Sequence, residues 1–417
     1  MDETEREAGR QLMRRCDQLA RFSETPEHLT RRFLTEPYRA ALDQVAAWMR
    51  GAGMEPHSDA AGNLIGRYEG QQPDKPVLLL GSHIDTVVGA GRYDGMLGVL
   101  AAIACVERMQ ATGYRPQHPV EVIVFGDEEG ARFGVAMIGS RAFTGTLPTE
   151  WLDKTDASGM SLACALRAYG LAPDRLGAAR RDPATLLAYL ELHIEQGTRL
   201  EQAGLPVAAV TRISAVKRAR LRLTGALGHA GTVAMSERRD ALTGMAEVVL
   251  AVEALARRGA CIATVGNVTA KPGAANVIAG HAEALLDIRA PENAALEAAL
   301  AELTTTGQAI ATRRGLSFTV ETFYHAPSAA FAPGLVRLAQ QALGPRGAAA
   351  PVLISAAGHD AAMLAPLVPS VMLFARCRGG ISHAPEEEIT AEDAAAAITA
   401  FSTLVDLVDR AGPAATV

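Results

Sequence analysis

At 417 residues the chain is longer than one hydrophobic core ordinarily supports, and its composition (49% hydrophobic, 21% charged) is that of a globular protein, so two domains are expected. With 40 basic against 46 acidic residues the formal net charge is −6, and basic residues gather only in pairs such as Arg31-Arg32 and Arg238-Arg239, which argues against a nucleic-acid partner. No apolar run approaches the roughly 20 residues needed to span a bilayer, so no membrane partner is expected either.

The opening MDETEREAGR is acidic and polar, unlike a secretory signal. Cys16, Cys105, Cys164, Cys261 and Cys377 are odd in number, widely spaced and free of any CxxC. Both features predict reduced, mostly buried thiols in a cytoplasmic protein.

In chain order, helical patterning occupies the first fifty residues, including 38–49 (YRAALDQVAAWM). The apolar run 77–80 then runs directly into Gly81-Ser82-His83-Ile84-Asp85, the pattern of a buried strand delivering polar side chains at its end. A helix follows over 95–109, then a strand over 120–125 closed by Gly126-Asp127-Glu128-Glu129, then a strand over 186–192 that ends at His193. Alternating strands and helices predict an α/β domain with a mostly parallel mixed sheet flanked by helices.

From residue 211 the pattern changes. Residues 220–224 (RLRLT) alternate as a half-exposed strand does, further strands are predicted over 261–268 and 282–289, and helices over 240–257 and 294–314. These elements predict an inserted α+β sandwich over 211–321, within a discontinuous catalytic domain of residues 1–210 and 322–417. Buried-strand patterns resume at 351–354 and 370–374, and His383 follows.

Five residues spread over this frame have the chemistry of a dinuclear metal centre: His83, Asp94, Glu129, His193 and His383. His83 and Asp85 form an H-x-D pair, weak alone, in which a carboxylate can hold the second ring nitrogen's proton and fix the tautomer. Asp94 can bridge two cations because a carboxylate has two oxygens, and Gly89, Gly91 and Gly95 around it permit tight backbone geometry. Glu128 and Glu129 are adjacent, so one can bind metal while the other carries protons. Of ten histidines, His83, His193, His229, His359 and His383 sit in glycine-framed motifs, whereas His28, His57, His118, His281 and His325 do not and are expected to be chemically idle. The donor set suits two divalent ions per subunit, Zn2+ first, with Mn2+, Co2+ or Ni2+ also fitting. Paired cations of this kind activate water and polarise a carbonyl.

The motifs GSHIDTV, GRYDGMLGVL, GDEEGARFG, LHIEQG, GHAGT, AGHDAAML and GGISHAPEE together resemble the amidohydrolase branch of the aminoacylase/carboxypeptidase metallohydrolases. That branch contains N-carbamoyl-L-amino acid hydrolase, allantoate amidohydrolase and β-ureidopropionase. The resemblance covers about residues 15–405 in the expected order. It implies hydrolysis of the ureido C–N bond of an N-carbamoyl amino acid or a related ureido acid such as allantoate. The alternative is an aminoacylase or dipeptidase, but peptide-cleaving relatives usually carry an acidic ligand where His193 stands. The resemblance implies the five metal ligands already named and Glu128 as general base and then general acid. It further implies a homodimer in which the inserted domain is both lid and dimer interface and brings His229, Asn276 and Arg289 to the partner's substrate. Gln196 and the backbone at Gly358 are further expected substrate contacts. The loop after His229 reads Val233-Ala234 where the family usually has Thr-Pro, and Ala279 stands where Pro is common.

Overall fold

The computed structural model describes residues 3–344 and 350–416. The chain divides into two compact units, one being Arg212–Ala329 and the other the two segments that flank it.

In the first unit, the strand Val77–His83 lies between Val120–Phe125 and Leu186–Ile194, and Leu186–Ile194 also pairs with Ser370–Ala375, all parallel. Every residue of these four strands is buried. A parallel sheet covered by helices on both faces requires such uninterrupted apolar runs, which is why they show no alternation. Antiparallel strands extend the sheet: Leu64–Tyr68 and then Glu55–Ser58 on one side, Val207–Ile213 on the other. The helices Glu3–Leu19, Met96–Thr112 and Ala391–Ala411 pack on one another, while Ile138–Thr144 and Ala361–Leu364 pair up elsewhere against the sheet. Because the four central strands are parallel, their carboxyl ends share one edge, where ligand sites of open α/β sheets form. His83, the 126–129 turn, His193 and the segment after Ala375 all emerge there.

The helix Met96–Thr112 sits close to the strands that carry the two buried histidines. A Cβ added at Gly98 would lie 2.1 Å from the Leu192 carbonyl oxygen and 2.9 Å from Ser82 Cβ. Only a residue without a side chain permits that approach.

The second unit is a four-stranded antiparallel sheet in the order Ser317–Ala326, Ala215–Thr224, His281–Ala290, Ile262–Lys271. Along Ala215–Thr224 the apolar Ala219, Leu221 and Leu223 are buried with Met245, Val248 and Val252 of the helix Ala241–Arg257 and Leu296, Leu300 and Leu303 of the helix Asn293–Arg313. Arg218, Arg220 and Arg222 alternate onto the open face, where they pair with Asp287, Glu283 and Glu321. Asp240 caps the first helix by accepting N–H bonds from Leu242 and Thr243. The expected boundary at 321 moves to Ala329 because Ser317–Ala326 pairs along its length with Ala215–Thr224, and its apolar residues, interrupted by Thr, Glu and His, form no continuous run to mark the strand.

Other expectations shift by a few residues. The strand expected over 351–354 is Leu353–Ser355. All five cysteines are free and four are buried, Cys164 being exposed. Among the described residues no helix is long and apolar enough to cross a membrane. His118 is structural, buried with its Nδ1 3.1 Å from Asp409.

Replacing Gly98 with Ala should lower stability by about 1–3 kcal/mol, because overpacking against backbone outweighs the roughly 1 kcal/mol that Ala contributes to helix propensity. Urea denaturation checks this. An unchanged or raised midpoint would show that the helix is not held against the His83 and His193 strands as described.

Candidate metal centre

Each ligand candidate is placed by a different local device. His83 is the last residue of its strand, and its Nδ1 lies 3.0 Å from the main-chain oxygen of Asp85. His193 lies within its strand, with Nδ1 3.0 Å from the Ile194 main-chain oxygen. In both rings Nδ1–H donating to a carbonyl leaves Nε2 as a lone pair. Gly95 completes this arrangement: at φ 70° it is left-handed, and an added Cβ would fall 2.5 Å from the His83 ring.

The Nε2 atoms converge on Asp94. Its Oδ1 lies 3.1 Å from His193 Nε2 and 3.6 Å from His83 Nε2, and its Oδ2 lies 3.2 Å from His383 Nε2. Glu129 Oε1 is 3.6 Å from His383 Nε2, and Glu128 Oε2 is 3.9 Å from His83 Nε2. Two groups of donors result, His83-Asp94-His193 and Asp94-Glu129-His383, the ligand atoms of each lying within 4.8 Å of one another. Asp94 is common to both. Ligands bound at about 2.0–2.2 Å to one tetrahedral ion stand about 3–4 Å apart, which is the spacing seen. His193 Nε2 is buried without a hydrogen bond, because its 3.1 Å approach to Asp94 lacks hydrogen-bond geometry. A lone pair buried in this way needs a partner such as a cation, and the residues present fit a metal pair.

The electrostatics follow from burial. Burial alone would raise the Asp94 pKa, but His193, His383 and His83 overcome it and hold the carboxyl well below the usual range. Glu128 is pushed well above the carboxylate range, by burial first and then by Glu129, Asp360 and Asp85, against the opposing pull of His83. Burial and the Asp94 charge carry Glu129 to about 7. The hydrogen bond to Asp94, against the effect of burial, carries His383 to about 9.

One expectation needs correction, and one residue has a contact beyond the expected one. The acceptor that sets the His83 tautomer is the Asp85 main-chain oxygen; the Asp85 carboxylate is 3.7 Å from Nδ1. That carboxylate instead accepts the main-chain N–H of Glu128 and of Glu129, at 3.2 and 3.1 Å, and so fixes the turn bearing both glutamates. Gln196, expected against substrate, donates its amide N–H to Asp94 Oδ2 at 2.7 Å, leaving its Oε1 buried without a hydrogen bond.

The remaining expected residues are placed as follows. Gly358 is exposed on the segment before His359. In the second unit, His229 is exposed and accepts the Gly231 N–H at Nδ1, so its Nε2 carries the proton. Asn276 is also exposed, and its carbonyl accepts the Ala230 N–H. Arg289 is engaged by Asp287 through Nε and one terminal nitrogen, at 2.7 and 3.1 Å.

Several participants carried no assigned role in the sequence. His359 packs its ring 4.4 Å from that of His193 and bonds Ser355 through Nε2, and burial followed by the His193 charge holds its pKa well below the usual value, so it is neutral. Arg31, fully buried, donates to the Ile84, Leu19 and Phe22 carbonyls, bracing the residue between His83 and Asp85. Ser382 and Glu387 both reach Asp94. The glycine framing of His359 and the placing of Ser382 beside His383 were the available signals.

Comparison with known proteins agrees with this geometry. The chain is 42% identical to the N-carbamoyl-L-amino acid amidohydrolase of Geobacillus stearothermophilus, over 93% of this chain and 95% of that protein. It is 36% identical to the allantoate deiminase of Arabidopsis thaliana, over 92% of this chain and 79% of that protein. Among solved structures, a hydantoinase/carbamoylase family amidase from Burkholderia multivorans superposes with a TM-score of 0.87 at 32% identity, covering 95% of this chain and 97% of that one. One shared carboxylate and three imidazoles thus meet where the parallel strands and the loops after them end, residues 79–407 match peptidase family M20/M25/M40, and the chain belongs to that family.

Proposed function

We propose that this chain is a metal-dependent amidohydrolase that cleaves the ureido C–N bond of an N-carbamoyl amino acid or a related ureido acid such as allantoate, releasing ammonia and CO2. The observation that carries the reading is the pair of donor groups joined by Asp94 with Glu128 beside them. Relatives named for N-carbamoyl-L-amino acids and allantoate support the substrate class.

In this reading His83, Asp94 and His193 hold one divalent ion, and Asp94, Glu129 and His383 the other, with Zn2+ first among the candidates. Such a pair, when bound, makes water nucleophilic near neutral pH and polarises a carbonyl. Glu128 receives the proton of the attacking water, which forms a C–O bond at the carbamoyl carbon. It then returns that proton to the departing nitrogen as the C–N bond breaks, so ammonia leaves and the remaining carbamate loses CO2. Burial and the neighbouring carboxylates raise its proton affinity, the direction that suits a carboxylate which takes a proton from water and passes it to a leaving nitrogen. Asp85 keeps Glu128 aimed through the turn it braces.

The substrate-side assignments belong to the same proposal. Arg289 has the planar fork that matches a carboxylate, His229 presents an exposed Nε2–H that can stabilise an oxyanion, and Asn276 and the Gly358 backbone supply further polar contacts. Gln196 keeps one carbonyl oxygen for a substrate N–H. We assign the enzyme to a homodimer whose inserted unit, Arg212–Ala329, serves as lid, and to the cytoplasm, in keeping with five free thiols.

Assays of the zinc- or manganese-loaded protein against allantoate, N-carbamoyl-β-alanine, N-carbamoyl-L-amino acids, N-acetyl amino acids and dipeptides test the substrate class. Turnover is expected on a ureido acid, and preference for a dipeptide or acyl substrate would overturn the reading. On the best substrate Glu128→Gln should retain its metal while kcat falls by at least about 100-fold. A kcat within a few-fold of wild type would remove Glu128 from the proton path.

Proton and cation compete for the same lone pairs. His383 at about 9 and Glu129 at about 7 are both raised, so below those values each carries a proton that a cation must displace. Metal affinity should therefore fall as pH drops below about 9, more steeply below about 7, with protons released on binding. Calorimetric titration in buffers of different ionisation enthalpy measures that release, and a pH-independent affinity without it contradicts the assignment of these two ligands.

A further inference from the structure

We propose that Glu387 is a positioning residue that couples the Asp94 segment to the His383 loop and so sets the Asp94-Glu129-His383 half of the centre. This rests on the two-ion reading given above. Glu387 is only 4% exposed and spans a sequence separation of 294 residues to reach Tyr93. Its Oε1 accepts the main-chain N–H of Tyr93 at 2.7 Å and of Asp94 at 3.1 Å. Its Oε2 lies 2.9 Å from Ser382 Oγ, which also lies 2.8 Å from Asp94 Oδ2. One hydroxyl thus serves both carboxylates, its single proton shared between them. Gln196 Nε2 closes the ring, 2.7 Å from the same Asp94 oxygen and 3.3 Å from Ser382 Oγ.

Two further observations show that the contact is built in. A Cβ added to Gly91 would lie 2.3 Å from both the Cβ and the carboxyl carbon of Glu387, so the chain leaves room there for this side chain. His383 (φ 57°) and Gln196 (φ 55°) both hold left-handed backbone, which persists in non-glycine residues only where surrounding contacts fix it.

The coupling is one-sided. Ser382 and Gln196 act on Asp94 Oδ2, the oxygen that faces His383, whereas Oδ1 faces His83 and His193. Those two imidazoles are oriented by their own carbonyl bonds, independently of Glu387. Losing Glu387 frees the His383 loop and the direction of Oδ2, and leaves the His83-His193 half largely in place.

The test is Co2+ titration of the full-length protein, followed by d–d absorption and equilibrium dialysis, for wild type, Glu387→Ala, Glu387→Gln and Ser382→Ala. In Glu387→Ala the first equivalent should bind within a few-fold of wild type and the second about 10–100-fold more weakly. Glu387→Gln, whose amide oxygen can accept the two N–H groups while its NH2 faces Ser382, should restore the second equivalent. Ser382→Ala should weaken it less, in the same direction. The proposal fails if Glu387→Ala titrates like wild type, or if it loses both equivalents alike while keeping its far-UV circular dichroism and thermal midpoint. Should Glu387→Ala not fold, a wild-type second equivalent in Ser382→Ala overturns the proposal by itself. Wild-type protein that takes up fewer than two Co2+ ions would instead sink the two-ion reading on which the coupling rests.

Discussion

Asp94 is a carboxylate 3% exposed, surrounded by three imidazole Nε2 atoms, and its burial has to be offset for this fold to exist at all. A charge in so little water is costly unless opposite charge and hydrogen bonds surround it. The chain supplies these in layers. The Asp94 main-chain oxygen accepts the N–H of Met96 at the start of the helix Met96–Thr112, whose N-terminus favours negative charge. Gly95 gives up its side chain to the His83 ring, and Gly98 gives up its own to the strand bearing His193. The parallel sheet, the helix against it and the loops at its carboxyl edge can all be understood as the means of holding that one carboxylate between two sets of donors.

The two glutamates next to it show how one turn produces two chemistries. Glu128 and Glu129 share the Asp85 brace, yet Glu128 turns toward His83 and Glu129 toward His383. Burial first, and then the crowding of neighbouring carboxylates, raises the proton affinity of the glutamates, and divalent cations would relieve that repulsion. Like charges gathered in a buried site and balanced by imidazoles are characteristic of functional sites, where stability is given up for chemistry.

How much of this was legible in the sequence depended on what each residue touches. The four central strands were readable because complete burial demands unbroken apolar runs, and two of those runs lead directly to His83 and His193. The second unit's C-terminal edge was misjudged because the apolar residues of Ser317–Ala326 are interrupted by Thr, Glu and His and form no run, and most of the strand is exposed. Asp85 was noted, but its acceptor role was assigned to the wrong group, since the choice between a side-chain and a main-chain oxygen is decided by angstroms. Glu387 and Ser382 were invisible for a different reason: their partner Asp94 is nearly 300 residues away, and no local pattern encodes such a contact. Arg31 was noted only as half of an arginine pair, although it is fully buried on main-chain carbonyls. The engagement of Arg289 by Asp287 could have been anticipated, because residues two apart on a strand share a face.

Anomalous diffraction from crystals of the zinc-loaded protein, collected at the zinc edge, tests the shared carboxylate most directly. The account requires two peaks about 3.5–4 Å apart, one on either side of Asp94, the first bounded by His83 and His193 and the second by Glu129 and His383. A single peak, or a pair from which the Asp94 side chain stands away, would contradict it.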